Sequence, residues 1–422
     1  MLDINLIRTS PEKVKLALLK RLDSVDLSPI TGLDQKRREL IVGSDALKMR
    51  KNSVSASVKS KTREEQQVLF AEMKEISAKV KALDTEAAAV ETELGRLMAE
   101  LPNMPADDVA AGGKESNSVL REWGAKPEFK FEPKSHLDLA KDLGLIDYER
   151  GVKLGGTGFW LYRDLGARLE WALLNFFVET HLNNKYSFTL PPHILNYECG
   201  YTAGQFPKFK DDVFLLASAD DKVQFLLPTA ETALISLHRD EVLKEEDLPK
   251  KYFAYSPCYR KEAGGYGSNE RGMIRGHQFN KVELIQFTRP EDSQAAFDEI
   301  VGNVESIMQS LGLHYKVVKL AAKDCSASMA RTCDIEVWIP SMKCYKEVSS
   351  VSSANDYQAR RGNMRFKRAA TGKNEFVHTL NGSGLATSRL FPAILEQFQQ
   401  EDGSVVIPEA LRRYMGTDKI TL

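Results

Sequence analysis

The chain has 422 residues, with a hydrophobic fraction of 42%, a charged fraction of 28% and a formal net charge of −1. This length is enough for two or more domains with a large core, and the balanced charge means that any nucleic-acid surface must be a local basic cluster. No apolar run reaches the ~18 residues of a membrane span, and the first residues lack the apolar segment of a signal peptide, so a cytoplasmic protein without membrane contact is predicted.

Cysteine and histidine patterns argue against a metal-stabilised fold. The five cysteines are odd in number and never spaced as CxxC, which predicts reduced, structural thiols. No HExxH motif or other pattern typical of zinc occurs, so no zinc is expected.

Two long helices are predicted first along the chain. In residues 64–101, apolar residues recur every seven positions in two sets, spaced alternately four and three apart, which is the a/d seam of a coiled coil. The seam is formed by Leu69, Met73, Ile76, Val80, Leu83, Ala87, Val90, Leu94, Leu97 and Leu101. A weaker seven-residue period runs from Leu33 to Val54, and residues 52–62 form a polar break. The pattern predicts an antiparallel coiled-coil arm over about residues 28–101, within an N-terminal domain of residues 1–110.

Charge is distributed unequally between the two halves of this arm. Residues 33–63 contain nine Lys or Arg against three Asp or Glu, whereas residues 64–100 contain four against nine. One explanation is that the two helices attract each other. The other is a basic ridge that follows a phosphate backbone. Both can hold together.

The remainder of the chain has a different pattern. Residues 102–118 contain two prolines and a glycine pair, which mark the boundary to a second domain, residues 111–422. Helical and strand-like segments then alternate, and several neighbouring strands are separated by too few residues for a crossover helix. An α+β fold is therefore predicted, with a largely antiparallel sheet flanked by helices. Neither a strand–GxGxxG–helix unit nor a P-loop sequence occurs, which weighs against those nucleotide sites.

A long, basic connection joins two predicted strands, residues 252–262 and 277–287. It has 14 residues, whereas hairpin connections usually have two to five, and longer ones tend to be functional. Arg260 ends the first strand, while Arg271 and Arg275 lie on or beside the loop. One guanidinium group can bind two phosphate oxygens at once, so a rigid arginine beside a glycine-rich flap predicts a triphosphate site. A solvated connector is the alternative.

The sequence here resembles class II aminoacyl-tRNA synthetases. CYRKE, RGMIRGHQF and KVEL, within about residues 252–287, resemble motif 2. The helix and strand ending in PP, about residues 166–192, are similar to motif 1. NGSGLATSRLFPAILE, in about residues 380–400, is similar to motif 3, with its arginine at Arg389. PTAET, KEVSS, NDYQARR and LNGSGLA resemble the seryl-tRNA synthetase family in particular, as do the arm and VVIPEALRRYMG.

This resemblance covers nearly the whole chain and implies a serine–tRNA ligase with the class II antiparallel sheet. ATP would convert L-serine to seryl-adenylate and pyrophosphate, and serine would pass to the 3′-terminal ribose of tRNA(Ser). The family usually also serves tRNA(Sec), and the sequence leaves that question open. The resemblance further implies a homodimer assembled through motif 1.

The resemblance also implies individual site residues. Arg260 and Arg389 would be catalytic. ATP would contact Arg260, Lys261, Glu262, Phe279, Glu347, Val348, Ser349, Ser350 and Arg389, with Mg²⁺ held by Glu347 and Ser350 because oxygen ligands suit that ion. Serine would contact Thr229, Ala230, Glu231, Arg260, Glu283 and Ser383. Phosphates of the tRNA would contact Lys36, Arg37, Arg50 and Lys51 on the arm.

Other interpretations fit parts of the pattern. A class II paralogue that loads an amino acid onto a carrier protein would share the activation site but lack the arm. A prolyl- or threonyl-type synthetase would need an anticodon-binding domain, whereas only 33 residues follow Arg389. A coiled-coil scaffold would not explain the basic loop. Taken alone, Glu283 would be a strand residue that faces solvent.

Overall fold

The computed structural model describes residues 1–58, 61–217, 222–262 and 272–421. These residues form two compact units, Met1–Pro102 and Asn103–Leu422. The first unit contains helices α1 (Ile4–Thr9), α2 (Pro11–Leu18), α3 (Ser28–Ser57) and α4 (Arg63–Glu100). The second unit holds the remaining elements.

Helices α3 and α4 pack along each other and form the predicted arm. Seam residues Ile76, Val90 and Leu94 of α4 are buried, which confirms the seven-residue pattern. A capping box begins α4, since the Glu65 carboxylate accepts from the Thr62 N–H at 2.9 Å and the Thr62 hydroxyl accepts from the Glu65 N–H at 3.4 Å. The polar break is shorter than predicted, because α3 continues to Ser57 while its Val54 side chain stays half-buried.

The second unit combines helices with one large and several small sheets. Its helices are α5 (His136–Asp142), α6 (Tyr148–Gly155), α7 (Asp164–Asn183), α8 (Tyr197–Thr202), α9 (Ala230–Leu234), α10 (Ser293–Ser310), α11 (Tyr357–Arg361), α12 (Thr387–Gln397) and α13 (Glu409–Met415). Its strands are β1 (Ser118–Trp123), β2 (Ile146–Asp147), β3 (Leu161–Tyr162), β4 (Ser187–Phe188), β5 (Ile194–Asn196), β6 (Leu215–Leu216), β7 (Gln224–Leu226), β8 (Val242–Lys244), β9 (Lys250–Tyr259), β10 (Gln278–Thr288), β11 (Tyr315–Lys319), β12 (Arg331–Ile339), β13 (Cys344–Asn355), β14 (Arg365–Lys367), β15 (Asn374–Phe376), β16 (His378–Ala386), β17 (Val405–Val406) and β18 (Lys419–Ile420).

The large sheet has the strand order β1-β11-β12-β13-β16-β10-β9-β4. Every neighbouring pair in it is antiparallel except β4 and β9, which run parallel. The predicted antiparallel sheet flanked by helices is thus confirmed.

Amphipathic helices cover this sheet and fix its strands. Helix α10 buries Phe297, Ile300, Val304 and Met308, which recur at intervals of three or four residues and so lie on one side of the helix. Helix α12 directly follows β16 and is buried over almost its whole length. Its burial holds the segment around Arg389 against the sheet.

The register of the central strands determines which side chains meet. Glu283 in β10 lies opposite Ala254 in β9 and opposite Ser383 in β16. The first strand of the predicted hairpin ends at Tyr259, so Arg260 lies one residue beyond it. Residues 263–271 of the predicted flap, with Arg271, lie outside the described residues.

Candidate active site

Two adjoining cavities lie over the central strands of the large sheet. Arg260, Glu262 and Arg275 line both of them. One cavity extends to Thr229, and the other extends to Lys281 and to the start of α12. The cleft therefore has two parts that meet at Arg260.

A largely buried polar cluster adjoins the first part at Thr229. Thr229 caps α9, because its hydroxyl accepts from the Glu231 N–H at 3.2 Å, and the same hydroxyl donates to Glu283 Oε2 at 3.4 Å. The Asn381 amide donates to Glu231 Oε2 and to Glu283 Oε1, at 3.1 Å in each case. Glu283 is only 1% exposed, so it does not face solvent. The structure brings together Thr229, Glu231 and Glu283, three residues predicted to bind serine.

Neighbouring side chains fix the Glu231 carboxylate. The Gln358 amide donates to Glu231 Oε1 at 3.0 Å, and Thr379 in turn donates to the Gln358 carbonyl at 2.7 Å. Burial, followed by the negative charge of Glu283, raises the pKa of the Glu231 carboxyl above its usual range. Two carboxylates this close favour a cation between or beside them.

The structure adds a cation that the sequence interpretation did not assign. Lys281 is 6% exposed, and its Nζ lies 2.7 Å from the Thr229 hydroxyl and 2.5 Å from Glu283 Oε2. Side chains alternate along a strand, so Phe279, Lys281 and Glu283 share one face of β10. The sequence contained a signal for Lys281, because this residue lies two positions from both Phe279 and Glu283, which were assigned to the site.

Arg260 is anchored where the two parts of the cleft meet. Its N–H donates to the His277 carbonyl at 2.9 Å, and its Nε donates to the Pro228 carbonyl at 3.2 Å. The guanidinium lies 5.2 Å from the centre of the Phe279 ring, within cation–π range. The ring of Phe279, which was predicted to contact ATP, is thus close to Arg260 in this structure.

Arg389 reaches the opposite side of the second cavity. Its Nη1 donates to the Glu347 carbonyl at 2.9 Å and lies 3.5 Å from the Glu347 carboxylate, while Nε donates to the Ile274 carbonyl at 3.2 Å. Glu262 is paired with Arg275, since Arg275 Nη1 donates to Glu262 Oε2 at 2.8 Å. These contacts place Glu262, Glu347 and Arg389, three predicted ATP residues, around one cavity with Arg260.

Four other residues predicted to bind ATP or serine are Val348, Ser349, Ala230 and Lys261. Val348 and Ser349 are buried, and the Ser349 hydroxyl donates to the Ser383 carbonyl at 2.6 Å. Only the backbone of these two residues is left for a nucleotide. Ala230 is also buried, and the Lys261 N–H donates to the Asp212 carbonyl at 3.0 Å.

Oxygen atoms suitable for a cation lie near the Glu347 end of this cavity. Ser350 lies opposite Asp334 in the β12–β13 ladder. Asp334 Oδ1 is buried without a hydrogen-bond partner, and burial together with Glu347 raises the pKa of this carboxyl. Among the described residues, no group of three or more His, Cys, Asp or Glu side chains is arranged to hold a metal ion.

Helix α7 supports the cleft from below through two buried polar residues, Glu170 and His181. Glu170 Oε1 accepts from Asn280 Nδ2 at 2.8 Å and from the Thr387 hydroxyl at 2.6 Å, so it joins β10 to the start of α12. His181 Nε2 lies 2.6 Å from the Gly384 carbonyl. Burial raises the pKa of Glu170 to about 7 and lowers the pKa of His181 to about 4. Neither residue was recognised from the sequence.

On the arm, three of the four predicted tRNA contacts are engaged in ion pairs. Lys36 Nζ lies 2.7 Å from Glu86, Arg37 Nη1 lies 3.3 Å from Glu91, and Arg50 Nη2 lies 2.6 Å from Glu72. All three acidic partners are on α4, so the helices do attract each other as the first explanation of the charge pattern required. The structure describes no ion pair for Lys51.

The antiparallel sheet and the convergence of Arg260, Glu262 and Arg389 define a class II aminoacyl-tRNA synthetase core. The family model described as the tRNA synthetase class II core domain (G, H, P, S and T) matches residues 214–398. The model of the seryl-tRNA synthetase N-terminal domain matches residues 1–105.

Full-length relatives show which family within class II the chain belongs to. The serine–tRNA ligase 2 of Clostridium acetobutylicum is 58% identical over 425 residues, which cover 100% of both chains. The crystal structure of seryl-tRNA synthetase from Pyrococcus horikoshii complexed with ATP superposes with a TM-score of 0.93 at 33% identity, and covers 100% of this chain and 99% of that one. The cytoplasmic serine–tRNA ligase of Naegleria fowleri in complex with AMP gives a TM-score of 0.88 at 28% identity, with the same coverage. The chain belongs to the seryl-tRNA synthetase family.

No helix in the part of the chain that the structure describes is long and apolar enough to cross a membrane.

Proposed function

We propose that this serine–tRNA ligase forms seryl-adenylate in the cleft around Arg260. Serine would occupy the cluster of Thr229, Glu231 and Glu283, and ATP would occupy the cavity lined by Phe279 and Arg389. The observation that carries the assignment is a pair of carboxylates, buried Glu283 and half-buried Glu231, bridged by Asn381 beside an anchored arginine. Carboxylates receive an ammonium and a hydroxyl, and the arginine receives a phosphate.

The reaction requires two anions to approach each other. A carboxylate oxygen of serine forms a bond to the α-phosphorus, and the bond from that phosphorus to the bridging oxygen breaks, so pyrophosphate leaves with the electron pair. No side-chain nucleophile is needed, and positioning with charge neutralisation accounts for the catalysis. Arg260, held by the Pro228 and His277 carbonyls, would bind the α-phosphate throughout.

Serine specificity would come from the buried polar groups. Glu231 and the Thr229 position would hold the ammonium, while Glu283 and Ser383, which lie opposite each other in the β10–β16 ladder, would bind the side-chain hydroxyl. A buried carboxylate that loses its hydrogen-bond partner is costly, so alanine would be rejected strongly. Threonine would have to be excluded by shape.

Glu347 and Ser350 would hold Mg²⁺ together with ATP. Their carboxylate and hydroxyl oxygens fit a hard cation, and the unpartnered Asp334 Oδ1 adds an acidic oxygen opposite Ser350. When bound, the ion would reduce the negative charge of the phosphates. The adenine amino group would donate to Glu262 once Arg275 yields that carboxylate.

Transfer of serine to tRNA would also use the N-terminal unit. The N-terminal domain, residues 1–110, would bind tRNA(Ser) through basic residues of the arm, and residues 111–422 would hold the catalytic core. A homodimer is proposed through motif 1, where Trp171, Phe188 and Leu190 are 55%, 43% and 70% exposed. We place the enzyme in the cytoplasm, where its tRNA substrate is charged.

ATP–pyrophosphate exchange with each of the twenty amino acids tests this proposal. Serine is expected to support exchange, and alanine and threonine are expected to support it far more weakly. Exchange that is equally fast with alanine would contradict the assignment of Glu283 and Ser383. Charging of a carrier protein instead of tRNA(Ser) would favour the paralogue interpretation.

A further inference from the structure

One cation in the cleft has no part in the reaction described above. Lys281 lies between Phe279, assigned to ATP, and Glu283, assigned to serine, on the same face of β10. Its side chain lines the cavity that also contains Arg260, Glu347 and Arg389. The ammonium therefore lies where the amino acid and the nucleotide would meet.

The contacts of Lys281 occupy an acceptor that serine would need. A threonine hydroxyl has one hydrogen and two acceptor lone pairs. Thr229 already donates to Glu283 and accepts from Lys281 Nζ and from the Glu231 N–H. An ammonium group of the substrate can bond to this hydroxyl only if Lys281 withdraws from it.

We propose that Lys281 is a further catalytic residue of the activation step. The serine ammonium takes over the Thr229 hydroxyl, and the released lysine Nζ turns toward the serine carboxylate and the α-phosphate. Lys281 stays protonated while the carboxylate oxygen bonds to the α-phosphorus and pyrophosphate leaves, so no proton changes place. This inference rests on the proposed function, since it takes the serine and ATP positions from it.

Two features make this role physically reasonable. Lys281 is 6% exposed, so its charge acts where little water screens it. A lysine also carries four rotatable side-chain bonds, so Nζ can leave one hydrogen-bond partner for another without a backbone movement. Arg260, whose Nε is fixed to the Pro228 carbonyl, lacks that freedom.

Replacement by an uncharged side chain of similar length tests the proposal. Lys281→Met is expected to lower kcat for ATP–pyrophosphate exchange by about 100- to 1000-fold, the range found when one transition-state donor is removed. The KM for ATP should change much less, because the lysine acts after both substrates are bound. Lys281→Arg, which keeps the charge, should recover part of the loss.

Lys251→Met is the matched control. Lys251 lies in the neighbouring strand β9 and pairs with Glu299 at 2.7 Å, outside the cleft. This variant should exchange pyrophosphate at the wild-type rate. A Lys281→Met enzyme that retains kcat within threefold of wild type would overturn the proposal.

A double variant separates catalysis from folding. Lys281→Met leaves the buried Glu283 carboxylate without its cation, which can prevent folding by itself. Combining it with Glu283→Gln removes both charges, and its kcat is compared with that of Glu283→Gln alone. A further loss of at least 30-fold supports the role of Lys281, and equal rates refute it. If the wild-type chain activated another amino acid, the serine assignment would fail, and the same comparison with that amino acid would still decide the role of Lys281.

Discussion

The buried carboxyl group of Glu170 gives a stability that depends on pH in a direction opposite to that of most carboxylates. The side chain is 3% exposed, and burial raises its pKa to about 7 from the ordinary 4.5. Between these two pH values the folded chain holds a proton that the unfolded chain has released. The free energy of unfolding therefore falls as pH rises through this window, by about 3 kcal/mol for a shift of this size.

Glu170→Gln removes the titration but keeps the hydrogen bonds. The Gln carbonyl can accept from Asn280 and Thr387 as Oε1 does, and its amide replaces Oε2, which is buried without a partner. Relative to wild type, the variant should gain about 3 kcal/mol of stability between pH 4.5 and pH 8. Urea unfolding at several pH values, followed by near-ultraviolet circular dichroism, measures this difference.

The control for this experiment is Glu179→Gln, on the same helix. The Glu179 side chain is 44% exposed, and its hydrogen bond with Arg413 lowers the pKa of this carboxyl. Its stabilising effect is therefore present above the ordinary pKa and lost as pH falls. Solvent screening makes that effect small. Parallel pH profiles for wild type and Glu170→Gln would refute the assignment of a raised pKa to Glu170.

Loss of the guanidinium in Arg260→Ala should lower kcat for pyrophosphate exchange by about 100-fold or more. The control Arg239→Ala, which removes an arginine outside the cleft, should keep the wild-type kcat. An Arg260→Ala enzyme with kcat within tenfold of wild type would contradict the phosphate role of Arg260. Glu283→Ala should reduce the ratio of kcat/KM for serine over alanine by at least about 100-fold, because the hydroxyl loses its buried acceptor; an unchanged ratio would remove Glu283 from the specificity site. Deletion of residues 27–102, which spares the second unit from Asn103 onward, should leave exchange near normal and abolish transfer to tRNA(Ser). Efficient charging by the truncated enzyme would show that the arm has only a structural role. Neutralising Lys36, Arg37, Arg50 and Lys51 together should weaken tRNA binding and flatten its salt dependence, since fewer counterions are released.

The sequence predicted those features that depend on short, repeated spacing. The a/d pattern placed Ile76, Val90 and Leu94 on the inside of the arm, and short connections indicated an antiparallel sheet. These signals are local, because helix and strand periods are read within a few turns or pairs of residues. The break in the arm was placed too early because polarity alone does not end a helix.

Contacts between distant segments could not be read in this way. Asn381 bridges Glu231 and Glu283, which are 150 and 98 positions away, and Gln358 reaches Glu231 across 127 positions. Such pairs depend on the register of several strands, and one residue of slippage would turn each side chain to the other face. For the same reason the role of Glu170 could not be predicted, since its hydrogen-bond partners Asn280 and Thr387 are 110 and 217 positions away in the sequence.

Ion pairing across the arm has a consequence for which polyanions it accepts. Each phosphate that approaches Lys36, Arg37 or Arg50 must displace a carboxylate of α4 that already neutralises the same cation. A short or flexible polyanion that contacts a single cation replaces one weak ion pair with another, so it gains little binding free energy. A stiff RNA helix that meets several cations at once releases many counterions and overcomes this competition. If the arm binds tRNA as proposed, the acidic helix would therefore favour long, structured RNA over free nucleotides and single-stranded fragments.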